Sequence, residues 1–262
     1  FPVTLFAKQQ QGTMQISQQF LGGFFRLVAG YAKQPYMLLE GCLALLGLFH
    51  LARQRSNLLL LVGWSFVYFM AYAVLRVSRY YWYYAPLVPA FIVLVGAGLQ
   101  ALWDWSFKMG KYGRTFGRAL VGGSFLFCLV GQVVILYRTA QHPDLRIPVY
   151  RQVGLWLKQN TPPSAKVGTL EVGAIGFYSE RYMVDFAGLI QPDVAAQMTP
   201  TSTYEDTARY AIGKYQPDYL VLHKGAFPSL EQELLQKCIK EKTFKAAQYK
   251  VKYDLVVLNC NP

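Results

Sequence analysis

Two arginines three positions apart, Arg76 and Arg79, stand in a short segment between two apolar runs. The aromatic run Tyr80-Tyr81-Trp82-Tyr83-Tyr84 follows directly. A guanidinium presents a planar fork of donors that matches phosphate oxygens. Tyrosine and tryptophan gather where apolar and aqueous phases meet, because their rings are apolar and their tips polar. Together these residue types could hold a phosphate at an interface, with Tyr80 and Tyr81 stacking on a sugar or a lipid chain. A plainer role competes: the arginines anchor a helix end to lipid headgroups, and the rings mark the interface.

Other chemistry-bearing residues sit at less useful spacings. Gly173 and Gly176 follow a predicted strand, but no Lys-Ser/Thr pair or full glycine fingerprint accompanies them, so a tight strand-to-helix turn is the better reading. Asp185 ends a predicted strand shortly before Gly188 and admits two roles, acceptor binding or capping a turn. His142 and His223 have no metal-ligand partners at usable spacing, so no metal site is assigned. Cys42 and Cys128 fall in apolar runs and read as packing residues. Cys238 and Cys260 fit no metal motif, and whether they pair stays open.

The elements that position these side chains follow from the charge distribution. Of 262 residues, 53% are hydrophobic and only 15% charged, yet Lys+Arg outnumber Asp+Glu by 26 to 14, a net +12. Such hydrophobicity excludes intrinsic disorder. A nucleic-acid module would carry its basic surplus on a polar surface. Sparse cations on apolar bulk point to a membrane protein with basic loops. Residues 1–137 hold 11 Lys+Arg and two acids, Glu40 and Asp104, whereas 138–262 hold 15 and 12. That change predicts a membrane region over 1–137 and an extracytoplasmic α/β domain over 138–262. The chain opens on Phe1 rather than Met, as a fragment of a longer protein would.

Spans are expected near 36–52, 57–75, 84–103 and 119–137. The last three runs are 19 to 20 residues long without Asp, Glu, Lys or Arg. A helix of about 20 residues crosses a ~30 Å hydrocarbon core. The first run has 17 residues and carries Glu40 and His50 near its ends. Over 14–33, Phe20, Phe24, Leu27, Val28 and Tyr31 recur at three- and four-residue spacing, while Gln15, Gln18, Gln19, Arg26 and Lys33 fall largely elsewhere. This pattern predicts an interfacial helix. Loops 53–56 and 104–118 share six cations, Arg53, Arg55, Lys108, Lys111, Arg114 and Arg118, against two in loop 76–83. The positive-inside rule puts the six-cation side in the cytoplasm, with loop 76–83 and the C-terminal half outside.

After Pro148 the pattern shortens. Helices are expected over 149–160, 203–214 (capped by Thr203, with Asp206 in a box-like arrangement) and 230–240 (capped by Ser229). Strands are expected over 166–170, 182–186 and 218–223, with 244–249 and 254–258 as a closing hairpin. Alternating strands and helices predict a small α/β domain.

Two stretches resemble a known family. RYYWYYAPLVP at 79–89, leading into an apolar span with Gly96 and Gly98, is similar to the segment that opens a late span in bacterial membrane glycosyltransferases of the GT-C type, including protein-mannosyltransferase-like and aminoarabinose-transferase-like enzymes. GAIGFYSERYMVDFAGL at 173–189 resembles the segment G-x-(I/L)-G-Y-Y-S-x-R-x-x-(I/V)-D-x-x-G-L in their extracytoplasmic tails. The resemblance implies a reaction: transfer of a sugar from a polyprenyl-phosphate donor to an acceptor, here unidentified, at the outer face of the cytoplasmic membrane. It implies a catalytic carboxylate in an early outer loop, upstream of Phe1, so the fragment is expected to lack it. The expected donor-binding residues are Arg76, Arg79, Tyr80 and Tyr81, with Tyr178 and Asp185 as further candidates. No cofactor is implied beyond the lipid-linked donor, and membrane lipid is a partner while nucleic acid is not. The competing reading is a non-enzymatic membrane protein whose outer α/β domain binds a partner or a polysaccharide.

Overall fold

A computed structural model describes residues 3–14, 19–108 and 110–261, so Gln15 and Gln18 of the expected interfacial helix lie outside the described residues. The chain is mostly helical and divides into two compact units. One is Ser17–Pro143. The other combines Phe1–Ile16 with Asp144–Pro262. The compositional boundary at 137/138 therefore falls inside a helix that continues to Ala140, and the chain's first residues join the C-terminal unit. Composition reports the surroundings of each residue, and a helix need not end where its surroundings change.

In the unit Ser17–Pro143, the expected element over 14–33 is a shorter helix, α2 (Phe20–Tyr31). It is followed by α3 (Pro35–Gln54), α4 (Leu59–Val74), a 3-10 helix (Tyr81–Leu87), α5 (Val88–Phe107) and α6 (Gly110–Ala140). Among the described residues, three stretches are long and apolar enough to cross a membrane: Pro35–Gln54, Tyr81–Phe107 and Tyr112–Ala140. The run at 57–75 forms the shorter apolar helix α4, of 16 residues. It stops because Arg76 adopts φ 52°, while the Arg76 amide reaches the Ala73 carbonyl and the Val77 amide the Tyr72 carbonyl. That bond pair is a Schellman end, with arginine in the left-handed position that glycine usually takes.

Small residues set the main helix crossing. A Cβ on Gly47 would fall 1.9 Å from the Leu94 carbonyl oxygen, and one on Gly98 would fall 2.1 Å from that of Leu43. The backbones of α3 and α5 meet there, as in close-packed membrane helices. His50 Nε2 lies 3.7 Å from Asp104, so α3 and α5 end together. Ser106 packs on Gly117 and Tyr36 on Gly131, so α6 runs opposite to both. The Tyr68 hydroxyl donates to the Tyr83 carbonyl at 3.0 Å, which brings the C-terminal half of α4 to the start of α5. The four helices thus alternate in direction. Their outer faces leave Leu45, Leu60, Phe66, Ile92 and Leu136 exposed, far more apolar surface than a water-soluble bundle presents.

The other unit is a three-layer α/β domain. Its elements are α7 (Arg146–Asn160), β1 (Lys166–Thr169), α8 (Val172–Ser179), β2 (Tyr182–Asp185), α9 (Pro192–Ala195), α10 (Tyr204–Tyr215), β3 (Tyr219–His223), α11 (Pro228–Lys237), β4 (Ile239–Phe244), α12 (Ala246–Tyr249) and β5 (Leu255–Asn259). The sheet order is β2-β1-β3-β5-β4; β2, β1 and β3 are parallel, and β5 alone runs opposite, pairing antiparallel with both β3 and β4. Alternate strand residues feed two cores. Leu220, Leu222 and Leu258 pack under α10 and α11, while Val167, Val221 and Val257 pack under α7 and α8. The polar helix α1 (Val3–Met14) docks on this unit, burying Ala7, Lys8 and Gln11, and Gln11 Nε2 donates to the Ala187 carbonyl at 3.3 Å.

Three local expectations need correction. The closing hairpin pairs β4 with β5, so its first strand is Ile239–Phe244, and residues 246–249 are a helical turn. The strand IKEKTF has apolar residues only at its ends because it is an exposed edge, and charge there blocks edge-to-edge pairing. Ser229 does not cap α11, which begins at Pro228 after Phe227; its hydroxyl meets Glu205 instead. Gly173 and Gly176 lie inside α8, where Gly176 leaves room for Met183. The Thr203–Asp206 capping box is present. Cys238 and Cys260 form a disulfide just outside the Ile239–Asn259 pair that ends the hairpin ladder.

Candidate functional site

The segment 76–84 lies beside α2 and α4 within its unit. Gln19 bridges to Ser78, and the Phe20 amide donates to the Val77 carbonyl at 2.8 Å. The Tyr84 hydroxyl returns a 2.7 Å bond to the Phe20 carbonyl. Gly23 leaves the space that Tyr84 and Arg79 occupy, since a Cβ there would sit 2.6 Å from Arg79 Cβ. Arg76 is exposed and Arg79 half-buried. Between them Ser78 is buried, and its hydroxyl has no hydrogen-bond partner among the described residues. Buried hydroxyls are nearly always bonded to protein, water or an ion.

Rings line the same region. Trp64, Tyr68 and Tyr72 stack along α4 at 5.7 and 4.5 Å between centroids, and Tyr83 follows at 5.3 Å from Tyr72. Tyr80 stacks on Trp82 at 4.5 Å. Tyr81 stays 76% exposed, so of the two tyrosines named from the sequence it is the one turned outward. Four expected residues, Arg76, Arg79, Tyr80 and Tyr81, are thus brought into one short segment.

Tyr178 and Asp185 lie in the other unit and serve its fold. The Tyr178 ring sits under the Arg151 guanidinium at 5.5 Å, and its Cβ fills the space above Gly154 where α8 crosses α7. Asp185 is fully buried and accepts the amides of Ala187, Leu189 and Ile190. The structure therefore gives Asp185 the turn-capping role, leaving its carboxylate no open face. Arg181 is used in the same way: its guanidinium donates to the carbonyls of Lys158, Thr161 and Ser179 and closes the end of α7. Burial pushes the Asp185 carboxyl up, against the three amides and the charge of Lys8. Burial likewise pulls the Lys8 ammonium down to about 8, against the charges of Asp185 and Glu171. Lys8 Nζ donates to Gln11 Oε1 at 2.7 Å.

The sequence reading did not anticipate a cavity of about 360 Å³ beyond the carboxyl ends of β1 and β3. Leu170 and Glu171 follow β1, His223 closes β3, and Arg146 and Tyr150 come from the start of α7. From β1 the chain crosses to one side of the sheet, and β3 lies on the other. Open α/β sheets bind ligands at such switch points. Tyr150 Oη is 3.3 Å from His223 Nε2 and lies beside the Glu171 carboxylate. Burial lowers the His223 pKa and, together with Glu171, raises that of Tyr150. The Tyr253 ring stands edge-on to His223 at 6.1 Å, with Lys252 Nζ 4.7 Å above it. Strand order alone creates this cavity, so no local motif could have announced it. Among the described residues no group of three or more His, Cys, Asp or Glu could hold a metal ion.

Residues 137–258 match the model of a domain of unknown function (DUF8728). No curated protein matches the chain.

Proposed function

We propose that this chain is the C-terminal part of a membrane glycosyltransferase of the GT-C type, which moves a sugar from a polyprenyl-phosphate donor to an acceptor at the outer face of the cell membrane. The observation that carries the reading is the 76–84 segment. Arg76 and Arg79 flank Ser78 in the chain, the buried Ser78 hydroxyl has no hydrogen-bond partner among the described residues, and a stack of rings lies in the same region. Those are donors for phosphate oxygens and platforms for a sugar or prenyl chain. Glu40 is occupied by Gln132, whose Nε2 donates to it at 3.0 Å, and it is not given the base's role.

Topology supports the same reading. Residues 1–16 and 144–262 belong to one unit; on this reading both lie on one side of the membrane, and the chain between them crosses an even number of times. Among the described residues three helices are long enough to cross. Because α3 and α5 end together, α4 must return between them, and it makes the fourth crossing. Its 16 residues reach about 24 Å at 1.5 Å per residue, short of the ~30 Å core. Local thinning of the bilayer and snorkelling by Arg55 and Arg76 at the two ends close the gap. A thinned bilayer draws the headgroup level toward Arg76 and Arg79. The cation count then assigns this end and the α/β unit to the outside.

Binding of polyprenyl phosphate to the full-length protein in proteoliposomes tests the donor site. Arg76→Ala combined with Arg79→Ala should weaken binding about tenfold or more, since each charge-assisted bond contributes roughly 1.5–3 kcal/mol. Unchanged binding would sink it. The switch-point cavity favours a second, non-enzymatic reading in which the α/β unit binds a saccharide or a partner without transfer. Donor-lipid binding in the wild type speaks against it.

A further inference from the structure

The cavity at the switch point holds a set of groups that the donor site does not use. Arg146 spends Nε and Nη2 on Asp144, at 3.0 and 2.7 Å, which leaves Nη1 without a partner among the described residues. Lys252 adds a second donor at the rim. Glu171 contributes carboxylate oxygens, and the Tyr150 hydroxyl can turn to either His223 or Glu171. Tyr253 offers a partly exposed ring, and Val149 and Leu170 supply apolar wall.

These groups select a ligand class. An anion would need donors only, yet here it would sit beside Glu171, with the charge of Arg146 already neutralised by Asp144. A cation would meet Arg146 and Lys252. What satisfies donors, acceptors and a ring face together is a neutral polyhydroxylated ring. Its hydroxyls both give and accept hydrogen bonds, and its C–H face packs on an aromatic ring. The volume is near the lower end for small-molecule sites.

We propose that this cavity is a saccharide-binding site, with a neutral sugar ring against Tyr253 and its hydroxyls on Glu171, Arg146 and Lys252. The proposal stands apart from the transfer reading. Sugar binding without donor-lipid binding would keep this site and drop the other, and the reverse result would do the opposite.

The test uses the whole chain in lipid nanodiscs and saturation-transfer NMR with glucose, galactose, mannose, N-acetylglucosamine and arabinose as probes, beside inorganic phosphate. At least one sugar should receive saturation. Glu171→Gln and Tyr253→Ala, both at partly exposed positions, should each cut the affinity about tenfold, the effect of losing one bond to a charged group or one ring contact. Phe177→Ser, at an exposed position of the same unit, should not change it. An unchanged melting temperature for the α/β unit shows that the variants are folded. The proposal is overturned if no sugar responds, if the response survives both cavity substitutions, or if phosphate competes the sugar away.

Discussion

Lys8 makes the docking of α1 a pH-dependent equilibrium. Lys8 is 7% exposed, and its pKa falls from 10.5 to about 8 in the docked state. The undocked helix exposes Lys8 and restores its ordinary value, so the undocked state binds more protons between those two pH values. Docking must therefore strengthen as pH rises through that window. At about 1.36 kcal/mol per pKa unit, raising the pH from about 7 to about 10 should stabilise docking by roughly 2–3 kcal/mol. Below about pH 8 the full cost of burying the charge is present. Amide hydrogen exchange over residues 3–14, corrected for the intrinsic rate at each pH, should show protection rising by about 30-fold or more over that range. Lys8→Met keeps the length and apolar stem of the side chain but removes the titrating group, and should flatten the profile. A wild-type profile that is already flat, or one that Lys8→Met leaves unaltered, would refute the reasoning.

Two further outcomes follow from packing and covalent structure. Gly98→Leu should lower the melting temperature of the helix bundle in detergent, since the Gly98 Cβ would meet the Leu43 backbone, and overpacking costs about 1–3 kcal/mol. Gly96→Leu, two residues away with open space around it, should be close to neutral; equal effects would remove the α3–α5 crossing from the picture. Cys238→Ser should destabilise the α/β unit by about 3 kcal/mol, the chain-entropy value for a closed loop of this length, with 22 positions separating the cysteines. Protease added to intact spheroplasts should cleave within 144–262, and full protection of that segment would reverse the proposed orientation.

Several parts of the fold were legible because their signals are local. Strands at 166–169, 182–185 and 219–223 are short apolar runs bounded by turn residues, and the box at Thr203 and Asp206 needs only three positions. The edge strand Ile239–Phe244 was not legible, since a strand facing water on most of its length carries no apolar period. The motif at 173–189 was visible as a pattern but not in its role. Asp185 admits either ligand binding or turn capping in sequence, and only its bonds to amides select the second; the carbonyls that Arg181 ties together were not visible at all.

By itself the sequence determined the kind of environment each half needs. Long uncharged runs must leave water, and cations gather in the loops beside them, because both effects act residue by residue. Tertiary structure decided what depends on distant partners. Gln11 meets Ala187 across 176 positions, which puts the first helix with the last domain. The order β2-β1-β3-β5-β4 opens a cavity among Arg146, Glu171, His223 and Tyr253. Neither is encoded in any window of neighbouring residues, since each arises from how elements far apart in the chain come to lie side by side.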